Sequence, residues 1–233
     1  MTAQQIVAEL TALADPEKVR AKEKKFGVQA NNSLGIYHKD LKAIAKTIGR
    51  NSALATELYA TGIYEARLLC SKLFDPNDLT EQQMDQWAAQ FENWEICDSF
   101  CMGLFNKSRF ATTKAHQWTC ADQAFVKRAG FAIMASYGFA DKKADNEVFE
   151  AFLVPIEREA TDQRLYVRKA VNWALRSIGK RNVDLRQSAI AAAHRIGQQD
   201  NKAAKWVANN ALAELEKPQL KLLDYPRHLY RPA

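Results

Sequence analysis

The sequence has few residues that interrupt helices and no stretch able to cross a membrane. Of its 233 residues, 9 are glycine and 6 are proline, which is low against average usage. No segment approaches 18 uninterrupted apolar residues, so we expect no membrane span and no membrane partner. The first residues contain neither a basic start nor a long apolar core, so we expect no signal peptide. Alternating runs of β-branched residues are also missing, which argues against a sheet.

Cysteine is scarce as well, and its spacing indicates no metal site. Cys70, Cys97, Cys101 and Cys120 fall in helix-like segments and form no Cys-x-x-Cys pair. A reduced, cytoplasmic protein is the simplest interpretation. Cys97 with Cys101, and His116 with Cys120, have the spacing of two ligand pairs, but their apolar neighbours favour buried thiols. Nucleotide-binding and metalloprotease motifs are absent too, and we predict neither a metal nor another cofactor.

What the sequence does contain is a repeated helical pattern. Five helix-like segments begin with an aromatic residue, and these are Tyr64, Trp94, Phe125, Tyr166 and Trp206. Subtracting their numbers gives intervals of 30, 31, 41 and 40 residues, each with room for one further helix. Such periods are typical of HEAT or armadillo solenoids. We therefore predict an all-α fold, an α-solenoid of degenerate HEAT-like repeats with a concave basic face; an irregular all-α domain is the alternative.

The predicted organisation is one repeat domain followed by a short tail. Residues 1–217 are expected to form a single HEAT-like-repeat helical domain. Residues 218–233 form a basic tail rich in proline and aromatic residues. We expect this tail to lack regular structure and either to dock on the domain or to stay mobile.

Residues 91–100, FENWEICDSF, place an acid in an apolar helical face. By helical spacing, Asp98 lies one turn after Trp94 and shares a face with it. A buried carboxylate without a partner is costly. Asp98 is therefore either a structural acid bound to a neighbouring helix, or a carboxylate in a partly dry cleft that stabilises developing positive charge.

Clustering of basic residues is more informative than the net charge of +6. Residues 164–186 contain a single acid, Asp184, and seven basic residues: Arg164, Arg168, Lys169, Arg176, Lys180, Arg181 and Arg186. Trp173 lies off the predicted core face of this helix, which consists of Val167, Ala170, Val171, Ala174 and Ile178. Basic residues around an aromatic ring suit a phosphate backbone and a stacking platform. A solvated charged face, with Trp173 packed on the next helix, fits the pattern equally well.

A second basic feature is the adjacent pair Lys127 and Arg128 in an otherwise apolar helix-like segment. A guanidinium at this position is suited to a bidentate phosphate contact. Arg128 also suits a buried ion pair with an acid on a neighbouring repeat, Asp98 included. The two interpretations are compatible.

Taken in order, NWEICDSF, FVKRAGFAIM and YVRKAVNWALRSIGKRN resemble segments of the HEAT-like-repeat alkylpurine DNA glycosylases in the DNA alkylation repair family. The resemblance runs from about Lys24 to about Leu215. It implies hydrolysis of the N-glycosidic bond of N3- and N7-alkylated purines, which are cationic, without a metal. The implied partner is double-stranded DNA that contains these bases, and we expect a monomer.

The resemblance also implies roles for four residues. Trp94 and Trp173 match the aromatic residues that flank the deoxyribose of the lesion. Asp98 matches the catalytic carboxylate, which stabilises an oxocarbenium-like sugar and positions water. Arg128 matches an arginine that contacts the DNA backbone nearby.

Further DNA contacts are expected from the basic residues near these four positions: Lys127, Arg168, Lys169, Arg176, Lys180 and Arg181. Two alternatives remain open, a non-catalytic HEAT-repeat protein that recognises distorted or branched DNA and a protein–protein scaffold. A pure DNA binder has no use for Asp98, because a carboxylate repels phosphate. Asp98 therefore favours the enzyme.

Overall fold

The computed structural model describes residues 1–231, and the regular structure of these residues is entirely helical. The predicted all-α class is therefore confirmed. None of the described helices is long and apolar enough to cross a membrane. The helices are α1 (Ala3–Ala12), α2 (Pro16–Phe26), α3 (His38–Ile48), α4 (Ser52–Ala60), α5 (Tyr64–Leu73), α6 (Glu81–Ala88), α7 (Trp94–Gly103), a 3-10 turn (Phe105–Lys107), α8 (Ala111–Trp118), α9 (Ala124–Ala140), α10 (Asn146–Glu159), α11 (Leu165–Gly179), α12 (Val183–Gln198), α13 (Lys202–Leu215) and α14 (Arg227–Tyr230).

The chain divides into two compact units. The first comprises Met1–Arg109, and the second begins at Phe110. In the first unit, α5 packs against α3, α4 and α7. In the second unit, α11 lies between α9 and α13, while α10 contacts α8 and α12. Each unit therefore has the paired-helix packing of HEAT-like repeats. That residues 1–217 fold as a single domain stays a prediction.

Aromatic packing in the first unit fixes the orientation of α7. The ring of Phe100 lies 5.3–5.8 Å, between centroids, from the rings of Tyr59, Trp87, Phe91 and Phe105. Each such pair contributes on the order of 1 kcal/mol beyond the burial of its area. Phe100 thus anchors one side of α7 in this cluster.

The core of the second unit follows the predicted periodicity of α11. The five residues of the predicted core face are at most 1% exposed, and these are Val167, Ala170, Val171, Ala174 and Ile178. The last residue of α11 is Gly179, and α13 comes close to it. A Cβ atom at this position would lie only 2.7 Å from Leu215 Cδ2. α11 is thus held on both sides, and Trp173 lies off its buried face.

The C-terminal tail docks on the second unit, which decides between the two outcomes left open for it. The backbone N–H groups of Leu223 and Tyr225 donate to the carbonyls of Lys180 and Arg181, at 3.0 and 3.2 Å. Asn182 Nδ2 donates to the carbonyl of Tyr225 at 2.7 Å. The expectation that the tail lacks regular structure is wrong over α14.

Candidate functional site

Asn93 determines where α7 begins. Its side-chain oxygen accepts hydrogen bonds from the backbone N–H groups of Glu95 and Ile96, at 2.9 and 3.2 Å. An N-cap of this kind typically stabilises a helix by about 1 kcal/mol. Trp94 is consequently the first residue of the helix, and Asp98 follows one turn later on the same side.

Trp94 and Asp98 lie at the edge of the apolar face of α7. Both are half-buried, whereas Cys97, Phe100 and Cys101 are fully buried. The indole N–H of Trp94 donates to the carbonyl of Phe26 at 3.0 Å, so the end of α2 fixes the tryptophan ring. The predicted pairing of Trp94 with Asp98 on one side of a helix is therefore confirmed, although Asp98 borders the apolar stripe instead of interrupting it.

The deeply buried acid on α7 is Glu95, which the sequence analysis did not single out. Its carboxylate lies 2.8 Å from Lys22 Nζ, 2.9 Å from the Tyr64 hydroxyl and 3.4 Å from His38 Nε2. Burial disfavours the ionised form, but the contacts with His38, Lys22 and Tyr64 outweigh burial and lower the pKa of Glu95 to about 2. Glu95 is therefore ionised at neutral pH.

Glu95 ties together the four helices that carry or surround Trp94. Lys22 belongs to α2, His38 to α3, Tyr64 to α5 and Glu95 itself to α7. Lys22 and Glu95 are only 3% and 7% exposed, so water screens their interaction little. His38 Nε2 also lies 3.4 Å from Ser99 Oγ, the residue after Asp98. The ion-pair network thus forms a fixed support beneath Trp94 and Asp98.

The first unit also gathers lysines that are distant in sequence. Burial lowers the pKa of Lys72, and the charges of Lys42 and Lys107 lower it further. Burial and the charge of Arg50 lower the pKa of Lys107. These residues come from α3, α5, the 3-10 turn and the loop before α4, so no sequence window contains them together. A group of cations that repel one another is suited to an anionic partner.

In the second unit, Arg128 is held at the start of α11. It is 6% exposed, and its Nη1 donates to the carbonyl of Tyr166 at 2.7 Å. The rings of Phe125 and Tyr166 lie 5.5 Å apart between their centroids. The predicted contact of Arg128 with the DNA backbone stays a prediction.

The surroundings of Trp173 differ from the basic cluster predicted around it. Trp173 is half-buried, and Lys169 is exposed. Arg168 turns toward α13, where its guanidinium lies 4.7 Å from the ring centroid of Trp206, a cation–π contact. Lys169 and Arg168 as DNA contacts remain predictions.

Three predicted DNA-binding cations form ion pairs with acids from other helices. Lys127 Nζ lies 2.6 Å from Glu159 and 3.7 Å from Asp162. Glu214 on α13 pairs with both Arg176 and Lys180. Counting acids within residues 164–186 overstated the free positive charge, because these partners lie outside that segment. DNA contacts by Lys127, Arg176 and Lys180 remain predictions. For such contacts to form, DNA phosphates must compete with these carboxylates for the three cations.

The prediction that Arg181 contacts DNA is wrong. It is 1% exposed, and its guanidinium donates to the carbonyls of Gly138, Asp141 and Ala144, at 2.8–3.2 Å. Phe149 covers the guanidinium at 4.2 Å from its ring centroid. Arg181 is thus a structural residue that holds the loop between α9 and α10, and a phosphate cannot reach it.

Comparison with known proteins identifies the family. The family described as DNA alkylation repair enzyme matches residues 6–215. The chain belongs to this family. A solved structure described as "A new family of proteins related to the HEAT-like repeat DNA glycosylases with affinity for branched DNA structures" has a TM-score of 0.76 and 22% identity, and the match covers 95% of this chain and 97% of that chain. This likeness confirms the HEAT-like fold. Curated proteins gave no significant match.

The DNA alkylation repair family indicates DNA as the partner. Within residues 1–231, no three His, Cys, Asp or Glu side chains are grouped to hold a metal ion. The thiols of Cys97 and Cys101 are buried, and that of Cys120 is exposed. Asp98 with Trp94 is the arrangement in the first unit that suits stabilisation of a cation, since a carboxylate and an indole face both favour positive charge.

Proposed function

We propose that this DNA alkylation repair protein is an N-glycosylase that releases N3- and N7-alkylated purines from duplex DNA. The observation that carries the proposal is the half-buried pair on α7, Trp94 and Asp98, with the indole fixed by the carbonyl of Phe26. A fixed aromatic face one helical turn from a carboxylate is suited to a sugar that gains positive charge.

The chemistry requires little from a general acid. An alkylated purine carries a positive charge, so the bond from C1′ to the base breaks with both electrons moving to a base that leaves neutral. The sugar becomes oxocarbenium-like, as in glycoside hydrolysis. The carboxylate of Asp98 stabilises this cation and orients a water whose oxygen bonds to C1′, while the water's proton is passed to the carboxylate or solvent. Trp173 and Arg128, in the second unit, keep the roles that the family resemblance gives them.

Glu95 supports the same assignment by its different environment. Its charge is compensated by Lys22 at 2.8 Å and its carboxylate is buried, so it serves as a support and not as the reacting acid. Asp98 lies three residues after Glu95 on α7 and is only half-buried. Lys42, Lys72 and Lys107 provide positive charge in the same unit, which suits backbone phosphates.

Base release from methylated duplex DNA tests the proposal. The wild-type protein is expected to release 7-methylguanine or 3-methyladenine, which chromatography detects directly. Asp98→Asn should lower the single-turnover rate by about 10²- to 10³-fold, the size of effect seen for a lost transition-state charge interaction. Asp200→Asn is the matched control, because Asp200 is an exposed acid of the second unit paired only with Lys205 among the described residues.

A second candidate function is recognition of branched DNA without base release. The solved structure with 22% identity is described as having affinity for branched DNA, and the lysines around Lys72 suit any crowded phosphate arrangement. This function predicts tighter binding to a four-way junction than to a duplex of equal length. It also predicts no base release from any alkylated substrate, which separates it from the glycosylase.

A further inference from the structure

The docked tail and the loop between α9 and α10 enclose a groove of about 370 Å³, here called the tail groove. Its lining residues are Lys142, Lys143, Tyr225, Pro226, Arg227 and His228. Four of these are in the tail, beyond residues 6–215, over which the chain matches its family. The family assignment therefore gives this groove no role.

Exposed cations surround one aromatic ring in the tail groove. Lys142 Nζ lies 5.5 Å and Arg227 Cζ lies 5.4 Å from the ring centroid of Tyr225. Lys142, Lys143 and Arg227 are all exposed. None of the three has a carboxylate within 4.0 Å among the described residues.

Three acids near the tail groove bind partners other than its cations. Asp141 accepts hydrogen bonds from the backbone N–H groups of Lys143 and Ala144, both at 3.0 Å. Asp224 pairs with Arg231 at 2.6 Å, and Asp184 accepts from the hydroxyl of Tyr230. None of these three acids forms an ion pair with Lys142, Lys143 or Arg227, so the three cations are available to an anionic ligand.

Arg181 makes the tail groove a built structure. Its guanidinium binds the carbonyls of the loop that carries Lys142 and Lys143. Its own carbonyl accepts the backbone N–H of Tyr225, and its guanidinium lies 5.8 Å from the Tyr225 ring centroid. One buried residue thus fixes both walls, so binding a ligand there requires little ordering of the protein.

We propose that the tail groove is a second DNA contact, in which Lys142, Lys143 and Arg227 bind backbone phosphates and the ring of Tyr225 packs against a sugar or base. Cations interleaved with an aromatic ring are the pattern that binds nucleic-acid backbone. Along α9, the groove follows Arg128 by about 14 residues, roughly 20 Å at 1.5 Å per residue. With the duplex running along α9, this distance spans about six base pairs from the phosphate at Arg128. The position relative to the lesion rests on the proposed function.

The salt dependence of binding to an unmodified 24-base-pair duplex tests the groove. The double variant Lys143→Gln/Arg227→Gln should make the slope of log K against log salt shallower by about 1.8, since each phosphate contact contributes about 0.9. Its affinity near 0.1 M salt should fall by tens of fold. The matched control is Arg195→Gln/Lys205→Gln, which removes the same charge from cations already paired with Glu157 and Asp200.

An unchanged slope in the groove variant overturns the proposal, and this is also the outcome if the groove binds an acidic protein segment instead. Urea unfolding of each variant checks that it folds. If the double variant is destabilised, the single variant Lys143→Gln replaces it, and the slope of log K against log salt should then become shallower by about 0.9. If the wild-type protein releases no base but the groove variant still shows a shallower salt dependence, the glycosylase proposal fails and the proposal that the tail groove binds DNA is kept.

Duplex length tests the position of the groove. On a 10-base-pair methylated duplex centred on the lesion, the groove variant should bind like wild type, whereas on 24 base pairs it should bind more weakly. The rate of base release at saturating protein should match wild type on both. Equal weakening on both duplexes contradicts the placement six base pairs away.

Discussion

Replacing Glu95 by glutamine tests the network beneath Trp94. The pKa of Glu95 falls from 4.5 to about 2 in the folded protein, against burial, because of the contacts with His38, Lys22 and Tyr64. At 1.36 kcal/mol for each pKa unit, ionised Glu95 contributes on the order of 3 kcal/mol to folding at pH 7. Glu95→Gln should lower the free energy of unfolding by about that amount, since Lys22 also loses its counter-charge.

The sign of the pH dependence follows from the direction of the shift. A lowered pKa in the folded state means that stability is fully present above the unfolded value, near 4.5, and is lost as the pH falls toward 2. The difference in the free energy of unfolding between wild type and Glu95→Gln should therefore shrink to about 1 kcal/mol at pH 3. Urea unfolding at pH 7 and pH 3 measures both values.

Glu57→Gln is the control for this series, because Glu57 is an exposed acid on α4 in the same unit. It should change stability by less than about 0.5 kcal/mol at either pH. If Glu95→Gln is as stable as wild type at pH 7, or if its deficit is equally large at pH 3, the ion pair does not hold these helices together and the reasoning fails.

Two further predictions concern the second unit. Arg181→Met should destabilise the protein by about 3 kcal/mol, because three partly buried carbonyls lose their charged donor. Trypsin should then cleave the released tail faster, and an unchanged cleavage rate contradicts the structural role of Arg181. Glu214→Gln should steepen the salt dependence of DNA binding by up to about 1.8 if the freed Arg176 and Lys180 reach phosphates. An unchanged slope would remove both residues from the DNA contacts.

The helical repeat was predictable because it depends on local periodicity. Tyr64 and Trp94 begin α5 and α7 as the pattern indicated. α13 begins four residues before Trp206, at Lys202, because the side chain of Asn201 caps the backbone N–H groups of the next residues. Aromatic positions thus mark the repeat, whereas capping side chains determine the helix ends.

The support of the site was not predictable, because its partners are brought together only by folding. Glu95 looks like an ordinary acid in the first turn of a helix, and Lys22 one of many lysines in α2. Likewise, the acid that neutralises Arg176 lies on another helix, at Glu214, so counting charges in one segment overstated its basicity. Arg181 lies in the basic segment 164–186 and is the most buried arginine of that segment.

The role proposed for Asp98 is to act on the sugar, and not merely to maintain the fold. Its most direct test measures, on one methylated duplex, both the single-turnover rate of 7-methylguanine release and the affinity for wild type and Asp98→Asn. The rate of Asp98→Asn should be lower by about 10²- to 10³-fold. Its affinity should be equal or slightly higher, because a carboxylate near phosphates is removed. Base release by Asp98→Asn at the wild-type rate would contradict this role.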